Sequence, residues 1–459
     1  MWKRFGCGEH VWPFTIDPSS GTVAPVGVPA TGLINLPFLK ELVADPSSRL
    51  VFMKSTSVNP SLSVLDAFSV DRTSGTLTLV DENRTKFTNR VNAMALGTGP
   101  TPITYAPQFA YVANSGDNTI SVYSIDAISG FLTSVGSACT GTNPQSLATD
   151  PFEKFLYVTN QGSNTVSGYV ISSSTGLLTA MPGSPFAAGL QPVSVTVDPS
   201  GRFVYVTNSG DNTVSAYAAD PTSGVLTPVF TSSLAATNGF GGGCTVPGPV
   251  TVDPRGLILY VSCPASNNTF GAPINPSTGA VGACNTTWGG AMPLGSPLGG
   301  NSIAIHPSGK FAYLLNQANS SIYELTITDN QSGCVSGSTG GITLSTSASV
   351  GPAESITLDP LGRYLYGAEG GFNDLLGDAI NFSTGNLTSI PGSPFPAATF
   401  PAAIAIDASG RFAYVVNKSS NTVSVYSVDP STGTLLPLPA VDLPTGALPV
   451  AVTTTSKIQ

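Results

Sequence analysis

Residues 198–217 read DPSGRFVYVTNSGDNTVSAY, and residues 407–426 read DASGRFAYVVNKSSNTVSVY. The two stretches are copies of one unit, in which short apolar runs alternate with turns rich in Gly, Asn, Asp and Ser. These residue types favour turns because they start reverse turns or tolerate left-handed backbone. A unit of about 50 residues that is built from short strands is typical of a propeller blade. The repeat therefore predicts an all-β propeller.

The unit around residue 200 predicts four strands, A to D, of a single blade. Strand A covers residues 192–197, strand B 202–207, strand C 213–218 and strand D 225–228. Strand B is apolar at successive positions, which is expected where both faces of a sheet are covered. Gly, Pro and Asn interrupt the chain about every ten residues, and this spacing excludes a helical interpretation.

The turns between strands A and B count the blades. They begin at Asp45, Asp150, Asp198, Asp253, His306, Asp359 and Asp407, with a degenerate copy at 103–107. Residues 2–35 look like a ninth unit that lacks strand A, and residues 447–455 supply a spare strand A. We therefore expect a single domain over 1–459 with nine four-stranded blades by this count, seven or eight being the alternatives. Pairing of the N-terminal and C-terminal strands would close the ring and remove its open edge.

Composition excludes several classes of partner. The 459 residues carry a net charge of −9, and only 9% of them are charged. Lys and Arg form no cluster of the kind that binds nucleic acid, and no apolar run reaches the ~18 residues of a membrane span. A turn-rich, weakly charged chain of this kind is expected outside the cytoplasm: secreted, periplasmic or on the cell surface. Residues 1–10 lack an apolar signal core, so we expect either a removed signal or, preferably, a fragment that begins inside a blade.

The six cysteines include one pair that the repeat brings together. Cys263 occupies the last position of a strand B, and Cys244 lies just before the strand A that pairs with it. We therefore predict a disulfide between them, because the two should be within bridging range. The chain has no CxxC pair, so a zinc site is not expected. The pairing of the other four stays open: Cys7, Cys139, Cys284 and Cys334.

Residues 157–160 and 205–208 both read YVTN. On this repeat the chain resembles the YVTN/lactonase family of β-propellers over nearly all its length. That family includes 6-phosphogluconolactonases, muconate-lactonising enzymes and many secreted surface proteins of bacteria and archaea, and its members usually have seven blades. The resemblance implies a catalytic Arg-His pair in a segment like G-P-R-H-x-x-F-H-P, and a Glu that ends a following Y-x-x-N-E.

The matching segment, residues 299–317, keeps the frame of the family motif but not its chemistry. Asn301 and Ser302 stand where the family has Arg-His, and Gln317 stands where it has Glu. His306 falls in an A–B turn, where most other units have Asp, and His10 falls in another turn. We therefore expect the catalytic set that the resemblance implies to be absent.

One pair of acidic residues departs from the repeat. Glu354 starts a strand A, and Glu369 ends the paired strand B where other units have Asn. The hairpin sets the two carboxylates nearly opposite each other, and like charges facing across strands destabilise a sheet. A bound cation or a shared proton would offset this cost, whereas the alternative is two solvated charges on a loop rim. If the pair holds a metal ion, oxygen ligands favour Ca²⁺; no other cofactor is predicted.

Strand direction places the starts of strands A and the ends of strands B at one face of the propeller. This face also carries the mouth of the central channel. The Asn residues that end strand B are either turn formers or a ring of amides for sugar hydroxyls. Near this mouth the sequence places the cations Lys54 and Lys418, which is a poor setting for a phosphorylated sugar.

The sequence therefore favours a secreted or surface-exposed scaffold that binds a ligand, a glycan or a protein at its mouth. The first alternative is a lactone hydrolase, similar to 6-phosphogluconolactonase, with a rearranged site around Gln317, Asn301 and the pair Glu354 and Glu369. The second alternative is a structural protein of a surface layer or an appendage.

Overall fold

The computed structural model describes residues 105–233, 244–266, 268–282, 300–316, 321–327, 343–349, 353–438 and 442–458, together with seven strands before residue 88. The chain divides into two compact units, Met1–Ile103 and Thr104–Gln459. Within the described ranges a single short 3₁₀ turn, Pro264–Ser266, is the sole helical segment. The described part of the chain holds no helix that is long and apolar enough to cross a membrane.

The described strands of Met1–Ile103 form two antiparallel sheets. The first is a hairpin of β1 (Phe14–Ile16) and β2 (Val23–Pro25). The second has the order β3-β4-β5-β6, and β7 also pairs with β5. Its strands are β3 (Phe38–Ala44), β4 (Leu50–Thr56), β5 (Ser63–Val70), β6 (Leu77–Leu79) and β7 (Thr85–Phe87).

The described strands of Thr104–Gln459 form seven antiparallel sheets, numbered here as blades 1 to 7 in chain order. Blade 1 contains β8 (Tyr105–Asn114), β9 (Thr119–Ile125), β10 (Leu132–Cys139) and the C-terminal β37 (Pro449–Ile458). Blade 2 contains β11 (Pro144–Thr149), β12 (Phe155–Asn160), β13 (Thr165–Ile171), β14 (Leu178–Ala180) and β15 (Phe186–Ala187). Blade 3 contains β16 (Pro192–Val197), β17 (Phe203–Asn208), β18 (Thr213–Ala219) and β19 (Leu226–Ser233).

The remaining four blades repeat this plan. Blade 4 contains β20 (Val250–Val252), β21 (Ile258–Cys263) and β22 (Asn268–Pro273). Blade 5 contains β23 (Gly300–Ile305), β24 (Phe311–Asn316), β25 (Ser321–Thr326) and β26 (Thr343–Ser349). Blade 6 contains β27 (Ser355–Leu358), β28 (Tyr364–Glu369), β29 (Asp374–Ile380), β30 (Leu387–Ser389) and β31 (Phe395–Pro396). Blade 7 contains β32 (Pro401–Ile406), β33 (Phe412–Asn417), β34 (Thr422–Val428), β35 (Leu435–Pro437) and β36 (Leu443–Pro444).

The ring closes within residues 105–458 and has seven blades. The innermost strands contact one another in the closed order β37, β11, β16, β20, β23, β27, β32 and back to β37. The count of nine was too high because a repeat in the sequence does not by itself make a blade of the ring. What fixes the ring size is the strand with which the last strand pairs.

The strand with which the C-terminal β37 pairs differs from the one that the sequence predicted. It pairs with β8, with Pro449 opposite Asn114 and Thr453 opposite Tyr111. The sequence predicted that residues 447–455 complete the partial unit at 2–35. They pair with β8 instead. They supply strand A to blade 1, whose strand B is β8. Residues 105–107, which the sequence predicted as part of a degenerate A–B turn, belong to β8 itself. A single domain over residues 1–459 stays a prediction.

Strand B of each blade is buried because neighbouring blades cover both of its faces. Each carries a buried tyrosine at the same place, and in six blades its hydroxyl donates to a glycine carbonyl in the next blade, at 2.7 to 3.4 Å. These pairs are Tyr111–Gly176, Tyr157–Gly224, Tyr205–Gly279, Tyr313–Gly385, Tyr366–Gly433 and Tyr414–Gly130. The accepting residue must be glycine: at Gly176 a Cβ would lie 2.4 Å from Phe109 Cδ1.

Candidate functional site at the channel mouth

The register of the strands defines the face of the ring that carries the mouth. In blade 3, Pro192 lies opposite Asn208, Asn208 opposite Thr213, and Thr213 opposite Ser233. The start of strand A, the end of strand B, the start of strand C and the end of strand D therefore share one edge. The linkers between blades cross this same edge.

The asparagines that end strand B are fully buried and hold their own blade together. In four blades the amide nitrogen donates to two hydroxyls of strand C, at 2.8 to 3.2 Å. The asparagines are Asn114, Asn160, Asn208 and Asn417, and their partners are the pairs Thr119/Ser121, Thr165/Ser167, Thr213/Ser215 and Thr422/Ser424. These amide nitrogens are committed to turn structure, and so do not form the open ring for sugar hydroxyls that the sequence left as an alternative.

A bulge at the start of strand A supplies a different ring of residues. In five blades the pairing of strand A with strand B skips one residue near the mouth, and backbone hydrogen bonds show the same in the other two. The skipped residues are Gln145, Val193, Gly248, Asn301, Glu354, Ala402 and Val450. Those with a described exposure are all half-buried. Bulges re-aim side chains, and they occur often beside active sites.

The positions of the family's catalytic motif lie in blade 5. Asn301 is the bulged residue there, and Gln317 lies outside the described residues. Ser302 follows the bulge, and its hydroxyl accepts a hydrogen bond from the backbone N–H of Ile356 in blade 6, at 3.1 Å. Ser146 and Ser194 receive the same bond from the next strand A. Ser302 is thus a regular joint between blades, although the family has a histidine there.

Blade 6 carries the acidic pair that the sequence singled out. Glu354 is its bulged residue, and its N–H donates to Ala368 O. Glu369 replaces the buried asparagine and is 4% exposed. Asp374 lies opposite Glu369 in the register, where four other blades have the threonine that accepts from the asparagine amide. Its Oδ1 is buried without a hydrogen-bond partner among the described residues.

No group of three or more His, Cys, Asp and Glu side chains in the described ranges could hold a metal ion. The Ca²⁺ site at Glu354 and Glu369 stays a prediction.

The structure adds an aromatic ring beside Glu354, which sequence reasoning did not connect with it. A Cβ on Gly370 would lie 3.1 Å from Glu354 Cγ and 3.0 Å from Phe400 Cε1. Gly370 thus lets the two side chains approach the same point of the mouth. Phe400 has a φ of 57°, unusual for a bulky residue, and its carbonyl accepts the backbone N–H of Lys418 at 2.8 Å. Aligning Phe400-Pro401 with Gln191-Pro192 across the repeats would have revealed this position.

The arginines that follow the A–B turns lie at the opposite face. Arg202, Arg363 and Arg411 donate to carbonyls in the C–D turns of the next blade, namely those of Pro276, Pro430, Ala127 and Ile128. His306 lies in an A–B turn and is 3% exposed. Its Nε2 is 2.9 Å from Gly362 O, and its Nδ1 accepts from Ser308 N. Burial lowers the pKa of His306, so this histidine is a neutral structural group.

The structure brings Cys244 and Cys263 together in a disulfide with Cα atoms 5.3 Å apart. Their positions in the repeat explain why both are cysteine. In blade 3 the equivalent residues are Gly189 and Asn208, and a Cβ on Gly189 would lie 2.6 Å from Asn208 Nδ2. Blade 4 thus replaces a tight glycine–asparagine contact with a covalent one. Cys139 is a free, exposed thiol, and Cys7, Cys284 and Cys334 lie outside the described residues.

The closed ring of antiparallel blades with linkers crossing the mouth defines the chain as a seven-bladed β-propeller. The family model described as "Lactonase, 7-bladed beta-propeller" matches residues 61–189, 180–294 and 298–451. The chain belongs to this lactonase family. No curated protein matches the chain.

Several solved structures share this fold. A candidate 6-phosphogluconolactonase from Bacteroides uniformis has a TM-score of 0.65 at 19% identity, with 76% of this chain and 100% of that chain covered. A similar candidate from Bacteroides fragilis has a TM-score of 0.63 at 17% identity, covering 76% and 98%. The periplasmic gluconolactonase of Pseudomonas aeruginosa has a TM-score of 0.58 at 20% identity, also covering 76% and 98%. At these identities the likeness extends to the fold alone.

Proposed function

We propose that this propeller hydrolyses an uncharged lactone at the mouth of its channel, with Glu354 as the general base. The observation that carries the proposal is the position of Glu354. It is the bulged residue of the innermost strand of blade 6, it is half-buried, and it shares the approach over Gly370 with the ring of Phe400. Membership of the lactonase family supports the same reaction class.

The neighbouring side chains suit the steps of ester hydrolysis. The Glu354 carboxylate takes a proton from water as the water oxygen bonds to the lactone carbonyl carbon. The ammonium group of Lys418 stabilises the oxyanion that forms. The ring C–O bond then breaks, and its oxygen takes the proton back from Glu354, which yields the open hydroxy acid. The Phe400 ring offers an apolar surface for the C–H face of the substrate.

The charge of the mouth favours a neutral substrate over a phosphorylated one. Among the described residues at this edge, Lys418 is the cation, whereas the carboxylates are Asp117, Asp211, Glu354, Glu369, Asp374 and Asp442. A phosphate group requires Arg or Lys forks, and the described arginines that follow the A–B turns are engaged at the other face. A 6-phosphosugar lactone would therefore meet net repulsion.

A second candidate function is a non-catalytic binder of a ligand, a glycan or a protein at the same mouth. The commitment of the Ser302 hydroxyl to Ile356 N favours it, because the family's histidine position then holds no acid or base. For either function we place the chain outside the cytoplasm; the disulfide Cys244–Cys263 supports an oxidising compartment.

Acid release from D-glucono-1,5-lactone and from its 6-phosphate, corrected for spontaneous opening, tests the proposal. We expect turnover of the neutral lactone and background rates with the phosphate. Glu354→Gln should lower kcat about 10²-fold, since general base catalysis contributes this much. Lys154→Gln, at an A–B turn of the far face, is the matched control. Full activity in Glu354→Gln or a preference for the phosphate would refute the proposal, and saturable binding without turnover would support the binder instead.

A further inference from the structure

Blade 2 carries a chain of amide side chains at its mouth edge. Gln145 Nε2 donates to Asn143 Oδ1 at 2.7 Å, and Asn143 Nδ2 donates to Gln161 Oε1 at 2.9 Å. The backbone of Asn143 is fixed in turn, because its N–H donates to Asn118 Oδ1 at 2.7 Å. All three amides of the chain are half-buried. They are held in place by one another and still accessible.

Each amide of this chain keeps hydrogen-bonding capacity. A carboxamide has two donors and an oxygen with two acceptor sites. Within this row of three amides, Gln145 uses one donor and Gln161 uses one acceptor. The side chain of Asn143 uses one donor and one acceptor. Gln145 Oε1 and Gln161 Nε2 therefore present an acceptor and a donor at the two ends of the chain.

Blades 1, 3, 4 and 7 do not repeat this arrangement. The three positions are the linker residue of positive φ before strand A, the bulged residue, and the residue after strand B. They hold Gln191, Val193 and Ser209 in blade 3, Val246, Gly248 and Pro264 in blade 4, Phe400, Ala402 and Lys418 in blade 7, and Leu448, Val450 and Ser115 in blade 1. Since apolar residues satisfy the fold at these positions, the fold does not require the amides of blade 2.

We propose that Asn143, Gln145 and Gln161 form a subsite for the hydroxyl groups of a saccharide. A hydroxyl both donates and accepts, which matches a neutral amide pair. An anion would require cations, and the described residues at the mouth edge of blade 2 include none. In the ring, blade 2 lies three blades from blade 6, so the subsite lies across the mouth from Glu354. It binds the non-reacting sugar of a lactone that carries a second, glycosidically linked sugar. This substrate class rests on the proposed function; the binding of a saccharide does not.

Binding of plain disaccharides tests the saccharide subsite separately from the proposed lactone hydrolysis. Cellobiose, maltose and lactose contain no lactone, so titration of the whole chain with each, followed by NMR or calorimetry, reports the subsite even if the chain hydrolyses nothing. We expect at least one of them to bind with a dissociation constant in the millimolar range. The double variant Gln145→Val, Gln161→Ser, which installs the residues of blade 3, should weaken this binding at least about tenfold. The repeat already tolerates these residues, so the variant should fold.

The matched control is Gln191→Asn, at the blade 3 position equivalent to Asn143, which should bind like the wild type. In hydrolysis, the double variant should raise KM for cellobiono-1,5-lactone and leave kcat for glucono-1,5-lactone unchanged. Absence of binding by all three disaccharides, or equal binding by the double variant, would overturn the subsite. Binding of a disaccharide without hydrolysis of any lactone would refute the proposed function and leave the subsite intact.

Discussion

At the scale of single residues, the same few contacts recur around the ring, and the departures from them mark the candidate site. Three contacts are regular. The tyrosine hydroxyl donates to a glycine carbonyl of the next blade, and the asparagine amide at the end of strand B donates to two hydroxyls of strand C. The serine hydroxyl of strand A accepts a backbone N–H from strand A of the next blade. Ser302 makes a regular contact at a position where the family resemblance implied catalysis. Glu354, Glu369 and Asp374 depart from the repeat in blade 6, whose Tyr366 hydroxyl still makes the regular contact with Gly433.

Ser302→Ala tests whether this serine is structural. The substitution removes the acceptor of Ile356 N, so unfolding free energy should fall by about 1 kcal/mol, the typical net value of one hydrogen bond. Alanine stands at the equivalent Ala403, so the variant should fold. Denaturant unfolding measures the loss, and kcat for lactone hydrolysis should equal that of the wild type. A drop in kcat without a loss of stability would assign Ser302 to the reaction instead.

At the scale of strands and turns, unusual side chains join elements at two places in the ring. Blade 4 ties its linker to the end of strand B through Cys244 and Cys263. Blades 5 and 6 bury two acids at their seam: Glu324 is 2% exposed and Asp378 is 8% exposed. Glu324 reaches across the seam and accepts the N–H of Leu387 at 3.1 Å.

Removing the disulfide should destabilise the ring measurably. Its sequence separation is 19 residues, and a loop of this size corresponds to about 3 kcal/mol of lost chain entropy in the unfolded state. We expect the double variant Cys244→Ser, Cys263→Ser to unfold at lower denaturant concentration, and reducing agent to shift the wild type but not the variant. Equal midpoints for oxidised and reduced wild type would contradict this prediction.

The buried acids predict a specific pH dependence. Burial, and then the nearby Glu324, raise the pKa of Asp378 from 3.8 to about 6. The folded state therefore binds an extra proton between these two values. The resulting stabilisation is complete below the unfolded-state pKa and is lost as pH rises through about 6. The other ionisable group that faces Glu324 is Tyr313, and the pKa of its phenol is also raised. The residues opposite Asp378 are Leu365 and Ser389, which do not titrate, and the sequence of β26 has no ionisable residue.

Asp378→Asn mimics the protonated carboxyl and should remove this dependence. At pH 7.5 we expect the variant to be more stable than the wild type by up to about 3 kcal/mol, the equivalent of a shift of this size, with the difference vanishing below pH 4. Asp220→Asn is the control of opposite sign, because hydrogen bonds from Ser223 lower the pKa of Asp220. Thermal melts from pH 4 to 8 measure both, and a wild type that stays more stable than Asp378→Asn at pH 7.5 would disprove the prediction.

At the scale of the whole ring, closure depends on a strand far from its partner in sequence. Strand β37 pairs with β8 and also contacts β11 and β32 on either side. It thereby supplies the innermost strand of blade 1 and joins the first blade to the last. An open ring would expose the edge of β8, and unpaired strand edges promote aggregation.

Deletion of residues 447–459 should therefore open the ring. We expect the truncated chain to be less stable and to aggregate, which light scattering and size-exclusion chromatography would detect. Adding a synthetic peptide of residues 447–459 should restore part of the monomer, whereas a scrambled peptide should not. A truncated chain that stays monomeric with an unchanged melting temperature would show that β37 is not the closing element.

The sequence by itself determined the propeller, the four-stranded unit and the meeting of Cys244 with Cys263, because turn residues and apolar runs act locally and recur in every copy. It also located the exceptional acids Glu354 and Glu369, since a departure is visible against a repeat. The tertiary structure decided the seven-bladed ring, because ring size depends on which distant strand accepts β37. It alone brought Phe400 to Glu354, and joined Gln145 to Gln161 through Asn143, because contacts between a linker and two different strands depend on how blades dock.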